Sequence, residues 1–359
     1  MNALPLHEFH HALGAKISEV NGSEVVANYG DVLAEHAALR SSAGVLDLSF
    51  RSRICLVGAD RVRFLHGQVT NDVKSLRAGS GCYAALTTGK GKMQSDLNIH
   101  CLADELLLDF EPGLTALVSE RLQKFIVADD VQIVDAAPHY GLLSVQGPQA
   151  EAAIRALGLF SEIPATPFAS VKISDAMLGE IYLMNLPRVG SIGFDLFVPT
   201  NSLAAVVDKL IAAAKQIGGR AVGWDALEIA RIEAGIPRFG ADMDETNLPP
   251  ECGIEASAMN YNKGCYIGQE VLNRVHSFGH VNRELRGLRL EKLPARGDKL
   301  FFDGKEVGHV TSAIFSPALK ANLALGCVRK EGNQIGTTLV LRNADGESSA
   351  QVVALPFAG

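Results

Sequence analysis

Cysteine is scarce in this chain, and its spacing excludes more than its number does. Six cysteines, Cys55, Cys82, Cys101, Cys252, Cys265 and Cys327, are spread through 359 residues. They are too sparse for a disulfide framework, and the lack of any C-x-x-C argues against a zinc ribbon or a thioredoxin-type pair. The ten histidines supply no metal site either. His7, His10 and His11 share an N-terminal segment, and the i,i+4 pair His276 and His280 lacks the acidic neighbour of an H-E-x-x-H helix. No metal ligand is assigned. A basic surplus is also missing: 33 Lys and Arg stand against 40 Asp and Glu, a net charge of −7. That balance does not suit a broad grip on nucleic-acid phosphates. No apolar run approaches the roughly 18 residues that cross a bilayer. The opening MNALPLHEFHHALGAKISEV has neither a signal-peptide layout nor an Arg-rich amphipathic pattern. The expectation is a soluble, cytoplasmic protein with no nucleic-acid or membrane partner.

What is present is an ordinary globular composition, 47% apolar and 20% charged, which excludes disorder over most of the chain. At roughly 100–200 residues per domain, two or three domains are expected. Gly30 and Asp31 introduce a helical stretch, VLAEHAALR, that ends toward Ser41, Ser42 and Gly44. RSRICLVG (51–58) reads as a strand, and Asp60 as the N-cap of the helix after it. Residues 82–110 read as a meander: a strand from Cys82, a turn at 89–91, a long strand from Met93 to Leu102, and a third from Glu105 to Phe110. In SLAAVVDKLIAAAKQI, Leu203, Val206, Val207, Leu210, Ile211 and Ile217 share one face at helical period. Asp225 and Glu228 resemble a capping-box start, with Gly235 at C′ and Pro237 beyond it. From about residue 285, short strands alternate with Gly, Asp and Asn turns, the pattern of a small barrel-like all-β unit. The sum is α+β followed by all-β.

Two constellations carry candidate chemistry. In GKGKMQSDLNIH (89–100), strand alternation sends Met93, Ser95, Leu97, Ile99 and Cys101 one way and Gln94, Asp96, Asn98 and His100 the other. The polar row is either a solvated face or the lining of a cleft in which Asp96 accepts from a ligand N–H. In YNKGCYIGQEV (261–271), Gly264 and Gly268 bracket Cys265 and let the backbone bend. Lys263 is placed to stabilise a thiolate, and Gln269 and Glu270 open a helix whose N-terminal N–H groups favour an anion. The plain alternative is an inert cysteine in a turn. Arg274, His276, His280, Arg283, Arg286 and Arg289 form a basic segment, either a solvated face or a dock for an anionic tail. The loop FGADMDETNLPPE (239–251) gathers four carboxylates, but not at EF-hand spacing.

The stretch from RIEAGIPRFGADMDETN through KGCYIGQE resembles the glycine-cleavage T-protein and its YgfZ-type relatives. The likeness extends through ALGAK, TNDV (70–73), the 89–97 hairpin, VQGP (145–148), GFDL (193–196) and the β-rich C-terminus. It implies a clover-leaf folate-binding region over 1–283, built of two intertwined α+β subdomains with the second centred on about 51–137, and a β-barrel domain over 284–359. KGCYIGQE is similar to the YgfZ-type signature, which makes Cys265 the functional thiol and places Lys263, Gly264, Gly268, Gln269 and Glu270 at a folate site. Asp96 falls where T-proteins have their catalytic carboxylate. Asp195 falls where they have a Glu that holds the pterin ring, and Arg274 is expected nearby. Leu227, in ALE, replaces the arginine of the usual ARD, and the chain ends in ALPFAG without the arginine T-proteins place there.

The resemblance therefore implies tetrahydrofolate, or a one-carbon derivative of it, as cofactor. The first expectation is a folate-binding protein that supports assembly or repair of iron–sulfur clusters, without classical turnover, and with client or assembly proteins as partners. The runner-up is a T-protein-like aminomethyltransferase that moves a methylene unit to tetrahydrofolate.

Overall fold

Four apolar segments flanked by two edge strands make a six-stranded sheet in the order Ser170–Asp175, Gly179–Asn185, Gly193–Pro199, Tyr140–Gln146, Gly44–Asp47, Arg220–Ala221. Every pairing is antiparallel except the last, which is parallel. Because side chains alternate along a strand, the sheet buries both faces. Leu143, Val145, Leu183 and Leu196 pack on the helices Ala150–Leu157 and Leu203–Gln216. Leu46, Leu142, Met184 and Phe197 pack with Leu39 of Val32–Ser41 and with Ala226 and Leu227 of Trp224–Glu233. The helical face expected from sequence is realised: Leu203, Val206, Val207, Leu210 and Ile211 are buried, and Ile217 packs at its edge.

The computed structural model describes residues 2–344 and 346–357. They fall into two units, one holding residues up to 66, 72–83 and 97–230, the other 67–71, 84–96 and those from 231 onward. A five-stranded sheet carries the expected meander in the order Ser80–Thr87, Met93–Cys101, Leu106–Phe110, Ser52–Val57, Gln132–Asp135. The division passes through its first hairpin, since residues 84–96 count with the second unit.

The helices Arg61–His66 and Trp224–Glu233 start where the capping signals put them, but two of the expected capping carboxylates have other partners. Asp31 does cap its helix, accepting from the Ala34 N–H at 2.9 Å. Asp60, however, accepts from the Asp130 N–H at 3.0 Å, while Asp130 accepts from the Ala59 N–H at 2.9 Å. Each aspartate thus satisfies the other's loop, because those N–H groups lie within reach and compete with the helix end. Asp225 lies inside the first turn of Trp224–Glu233 and accepts from Asn28 Nδ2 at 2.7 Å.

In the second unit, six antiparallel strands close into a barrel in the order Arg283–Leu290, Ala321–Arg329, Lys305–Ser316, Lys299–Phe302, Thr338–Asn343, Gly346–Val353. Closure leaves no unpaired sheet edge. Leu288, Leu300, Val310, Val328, Leu339 and Val352 fill the interior. The fold is α+β with a C-terminal antiparallel barrel, as the sequence pattern implies.

Leu288 is wholly buried. Leu288→Ala is expected to cost about 2–5 kcal/mol through lost burial and a residual cavity. A fall in the urea midpoint at unchanged slope would report it; an unchanged midpoint would show that this interior is not packed as described.

Candidate functional site

The turn that carries Cys265 is held by chain segments of its own unit. Thr70 is fully buried; its hydroxyl donates to the Ala258 carbonyl at 2.6 Å and accepts from the Ala85 N–H at 2.9 Å. Asn71 Nδ2 donates to the Ser257 carbonyl at 3.1 Å, and the Thr87 hydroxyl to the Ile267 carbonyl at 2.7 Å. The TN pair of TNDV therefore anchors the stretch before the cysteine, and the 84–96 hairpin anchors the stretch after it. Gly268 has φ +91°, and a Cβ there would stand 2.6 Å from the Thr88 carbonyl oxygen. Only glycine suits that position. The helix Gln269–Phe278 begins immediately afterwards, as expected.

Lys263 departs from its expected role. Its ammonium is buried and donates to the carbonyls of Val69 at 2.6 Å and Asn71 at 2.8 Å, 4.9 Å from the Tyr266 ring centre. Two of its three donors thus go to backbone carbonyls of the 67–71 segment. Cys265 itself is exposed and free, whereas Cys55, Cys101, Cys252 and Cys327 are buried. Cys252 packs its sulfur 3.9 Å from the Met93 thioether, and burial drives its pKa up. Gly264 is exposed and Gln269 half-buried. Glu270 and Arg274 pair with each other at 3.0 Å in solvent, 87% and 65% exposed, where such a pair is worth little.

The polar row of the long strand is not a solvated face. Gln94, Asp96 and Asn98 are half-buried and His100 is fully buried, while Met93, Ser95, Leu97 and Ile99 fill the opposite side. The basic segment resolves into local pairs: Arg283 with Glu251 at 3.2 Å, Arg286 with Glu284, and the His276 ring stacked 3.8 Å from that of Tyr261. Three of the four 239–251 carboxylates, Asp242, Asp244 and Glu251, make local structural bonds. Asp242 accepts from Thr311 at 2.6 Å and pairs with Arg231, and Asp244 accepts from the Thr246 N–H at 2.8 Å.

Asp195 belongs to the first unit, in a buried ionic network that sequence reading did not anticipate. Arg188 takes both its oxygens: Nε lies 3.2 Å from Oδ1 and 2.9 Å from Oδ2, and Nη2 2.6 Å from Oδ2. Arg188 Nη2 also donates to Asp109 at 2.7 Å. Asp109 accepts further from Arg51 Nε at 2.7 Å and Asn98 Nδ2 at 3.0 Å, and Arg51 reaches Glu111 as well. Burial works to raise the Asp109 pKa, but Arg51 and Arg188 outweigh it and hold the carboxyl far below its usual range. For Asp195 the balance tips the other way: burial wins over Arg188 and the pKa rises. The available signals in sequence were an acid inside the apolar run LLLDF and arginines at 51 and 53 in an apolar strand, since buried charges are rare unless paired.

Comparison with known proteins decides the family. A model described as the GCVT N-terminal domain matches residues 6–262, and one described as the glycine cleavage T-protein C-terminal barrel domain matches residues 283–358. The chain belongs to the glycine-cleavage T-protein family. Among T-protein relatives, the aminomethyltransferase of Cupriavidus pinatubonensis is 30% identical, covering 99% of this chain and 97% of its own length. That of Bacillus subtilis is 28% identical and covers 98% of each. The crystal structure of glycine cleavage system aminomethyltransferase T from Bartonella henselae superposes with a TM-score of 0.90 at 25% identity, covering 99% of this chain and 98% of the other. These matches support the T-protein family at large and not its YgfZ-type branch in particular. Where T-proteins were expected to carry an arginine, Leu227 is buried among Leu39, Leu46 and Ala230.

His100 supplies a stability test. It is fully buried between the Phe168 and Phe197 rings, neither ring nitrogen has a hydrogen-bond partner among the described residues, and burial pushes its pKa down to about 4. An unfolded histidine titrates near 6.5. Between those two values the unfolded chain binds more protons, so this contribution is complete above pH 6.5 and lost as the pH falls toward 4. The loss amounts to at most about 3 kcal/mol. His100→Leu should flatten the difference in urea stability between pH 7 and pH 5; an equal difference in both proteins would rule this origin out.

Proposed function

We propose that this chain binds tetrahydrofolate and works as an aminomethyltransferase of the T-protein type. One observation supports the reading above the others: similarity to proteins named aminomethyltransferase runs through 99% of the chain in sequence and in structure. Asp96 is consistent with it, being an acid that lies where the family resemblance puts the catalytic carboxylate.

Asp96 suits that work physically. It sits on a rigid strand between residues whose neighbours in sequence, Ser95 and Leu97, have no exposed surface, yet it remains half-buried. A carboxylate so held accepts a hydrogen bond or a proton at a fixed point. Tetrahydrofolate, when bound, supplies the nitrogen that takes up the one-carbon unit. Gly268 and Gln269 support the reading as the tight turn and first helical residue. Asp195 does not fit a folate contact, because it has no exposed surface and Arg188 occupies both its oxygens.

Asp96→Asn keeps the shape and removes the base. It is expected to lower methylene-tetrahydrofolate formation from an aminomethyl-lipoyl carrier protein by about 10²–10⁴-fold, with little change in tetrahydrofolate binding by calorimetry. Absence of product from the wild-type protein at high concentration would remove the transferase reading.

A second reading, support of iron–sulfur enzymes, is favoured by the exposure of Cys265 in a turn that glycine geometry and Lys263 hold in place. In a strain lacking the gene, Cys265→Ser protein at matched abundance should then fail to restore a [4Fe–4S] enzyme that the wild type restores, while glycine cleavage stays normal. Equal restoration by both proteins would leave the thiol without that role.

A further inference from the structure

The 239–251 loop and the barrel strands Lys305–Ser316 and Ala321–Arg329 border a cavity of about 90 Å³ that lies wholly within the second unit. One water takes roughly 10–15 Å³ on this measure, so the space admits a molecule of a few heavy atoms and nothing the size of a cofactor. Asn247, Val310, Thr311 and Cys327 are buried at its floor, whereas Thr246 and Arg296 are exposed at its rim. Two of its charged residues are matched within the protein, Asp242 by Arg231 and Arg283 by Glu251. Asp244 and Arg296 have no ion-pair partner among the described residues. Arg296 spends Nη2 on the carbonyls of Gly240 at 2.9 Å and Ala241 at 3.1 Å, which leaves Nε and Nη1. Asp244 takes the Thr246 N–H at 2.8 Å and hydroxyl at 2.7 Å on Oδ1, which leaves Oδ2. Burial, with Lys299 and Arg283 nearby, holds the His309 pKa below its usual value, so that ring adds no charge at pH 7.

Asn247 is the second sign of a ligand. Only 6% of it is exposed, and its Oδ1 accepts the Asp244 N–H at 3.0 Å, which fixes the sense of the amide. Nδ2 then has no partner among the described residues, and it is not one of the polar atoms sealed from solvent. A buried donor in that state is satisfied by water or by a bound molecule. We propose that this cavity binds a small zwitterion of the α-amino-acid class, its carboxylate on Arg296 and Asn247 and its ammonium on Asp244. A lone anion gains Arg296 but meets Asp244, and a lone cation meets the reverse; in a space this small the repulsion offsets much of the attraction. A molecule with both charges matches both residues. No group of three or more His, Cys, Asp or Glu among the described residues is placed to hold a metal ion, which leaves the Asp244 carboxylate to an organic ammonium.

The test is NMR of the full chain labelled at its histidines, with glycine as the probe because it is the smallest α-amino zwitterion. His309 lines the cavity, and its signal is identified by its loss in His309→Gln. Glycine should shift that signal saturably. Acetate and methylammonium, each with one of the two charges, should bind about tenfold more weakly or worse at matched ionic strength. Asp244→Asn keeps an Oδ1 acceptor for Thr246 and should weaken glycine by about tenfold while leaving acetate bound as well as before or better. Arg296→Met should weaken glycine and acetate alike; if that variant does not fold, the three-ligand comparison on the wild-type protein still decides. No saturable shift of His309 by glycine would overturn the proposal. So would acetate or methylammonium binding as tightly as glycine, which would make the cavity a site for a single charge.

Discussion

Arg188 ties the two sheets of the first unit together through buried ion pairs. Asp109 lies on the strand Leu106–Phe110 of the five-stranded sheet, Asp195 on Gly193–Pro199 of the six-stranded one, and Arg188 pairs with both. Neither carboxylate has exposed surface. Taking one partner from such a cluster leaves a charge without solvent, which is far more costly than the net worth of the pair. The neighbourhood is shaped to keep the arginine in place. Gln146 accepts its backbone N–H, and Gly193, paired with Gln146 across the strands, leaves room for that amide; a Cβ there would fall 2.0 Å from Oε1. The motifs VQGP and GFDL, far apart in sequence, thus serve one interaction.

The second unit rests on a different kind of contact. Its short early segment, 67–71, has no strand or helix of its own, and its carbonyls are satisfied by the Lys263 ammonium and by backbone N–H groups such as that of Asn260. Polar groups of an irregular segment must find partners when buried, and here a lysine from the cysteine-bearing turn supplies them. The same residue that sequence reading placed beside the thiol is thereby a structural strut.

Much of the fold was legible. Periodicity found the helix 203–216 and the meander, and turn spacing found the barrel, because burial imposes those patterns directly. Capping signals located the helix starts at Asp60 and Asp225 but not the partners of those carboxylates, which are taken up by groups about 70 and about 200 residues away in sequence. Motif resemblance pointed to the right family through residues such as Gly268, whose conformation is local. It could not foresee that Asp195 is enclosed by Arg188, since an ion pair between a loop and two sheets leaves no period in the chain. Nor could residue type tell that the lysine near Cys265 holds the carbonyls of Val69 and Asn71.

The division of the chain through the 84–96 hairpin bears on the order of synthesis and folding. Residues 67–71 and 84–96 leave the ribosome long before the 231–357 stretch that they pack with. For that interval their native partners in that unit are limited to each other, as in the Thr70–Ala85 pair. The large sequence separation makes those contacts late and slow to form. The turn bearing Cys265 therefore acquires its final shape only near the end of translation, and truncated chains that stop short of it carry an unfinished hairpin tip.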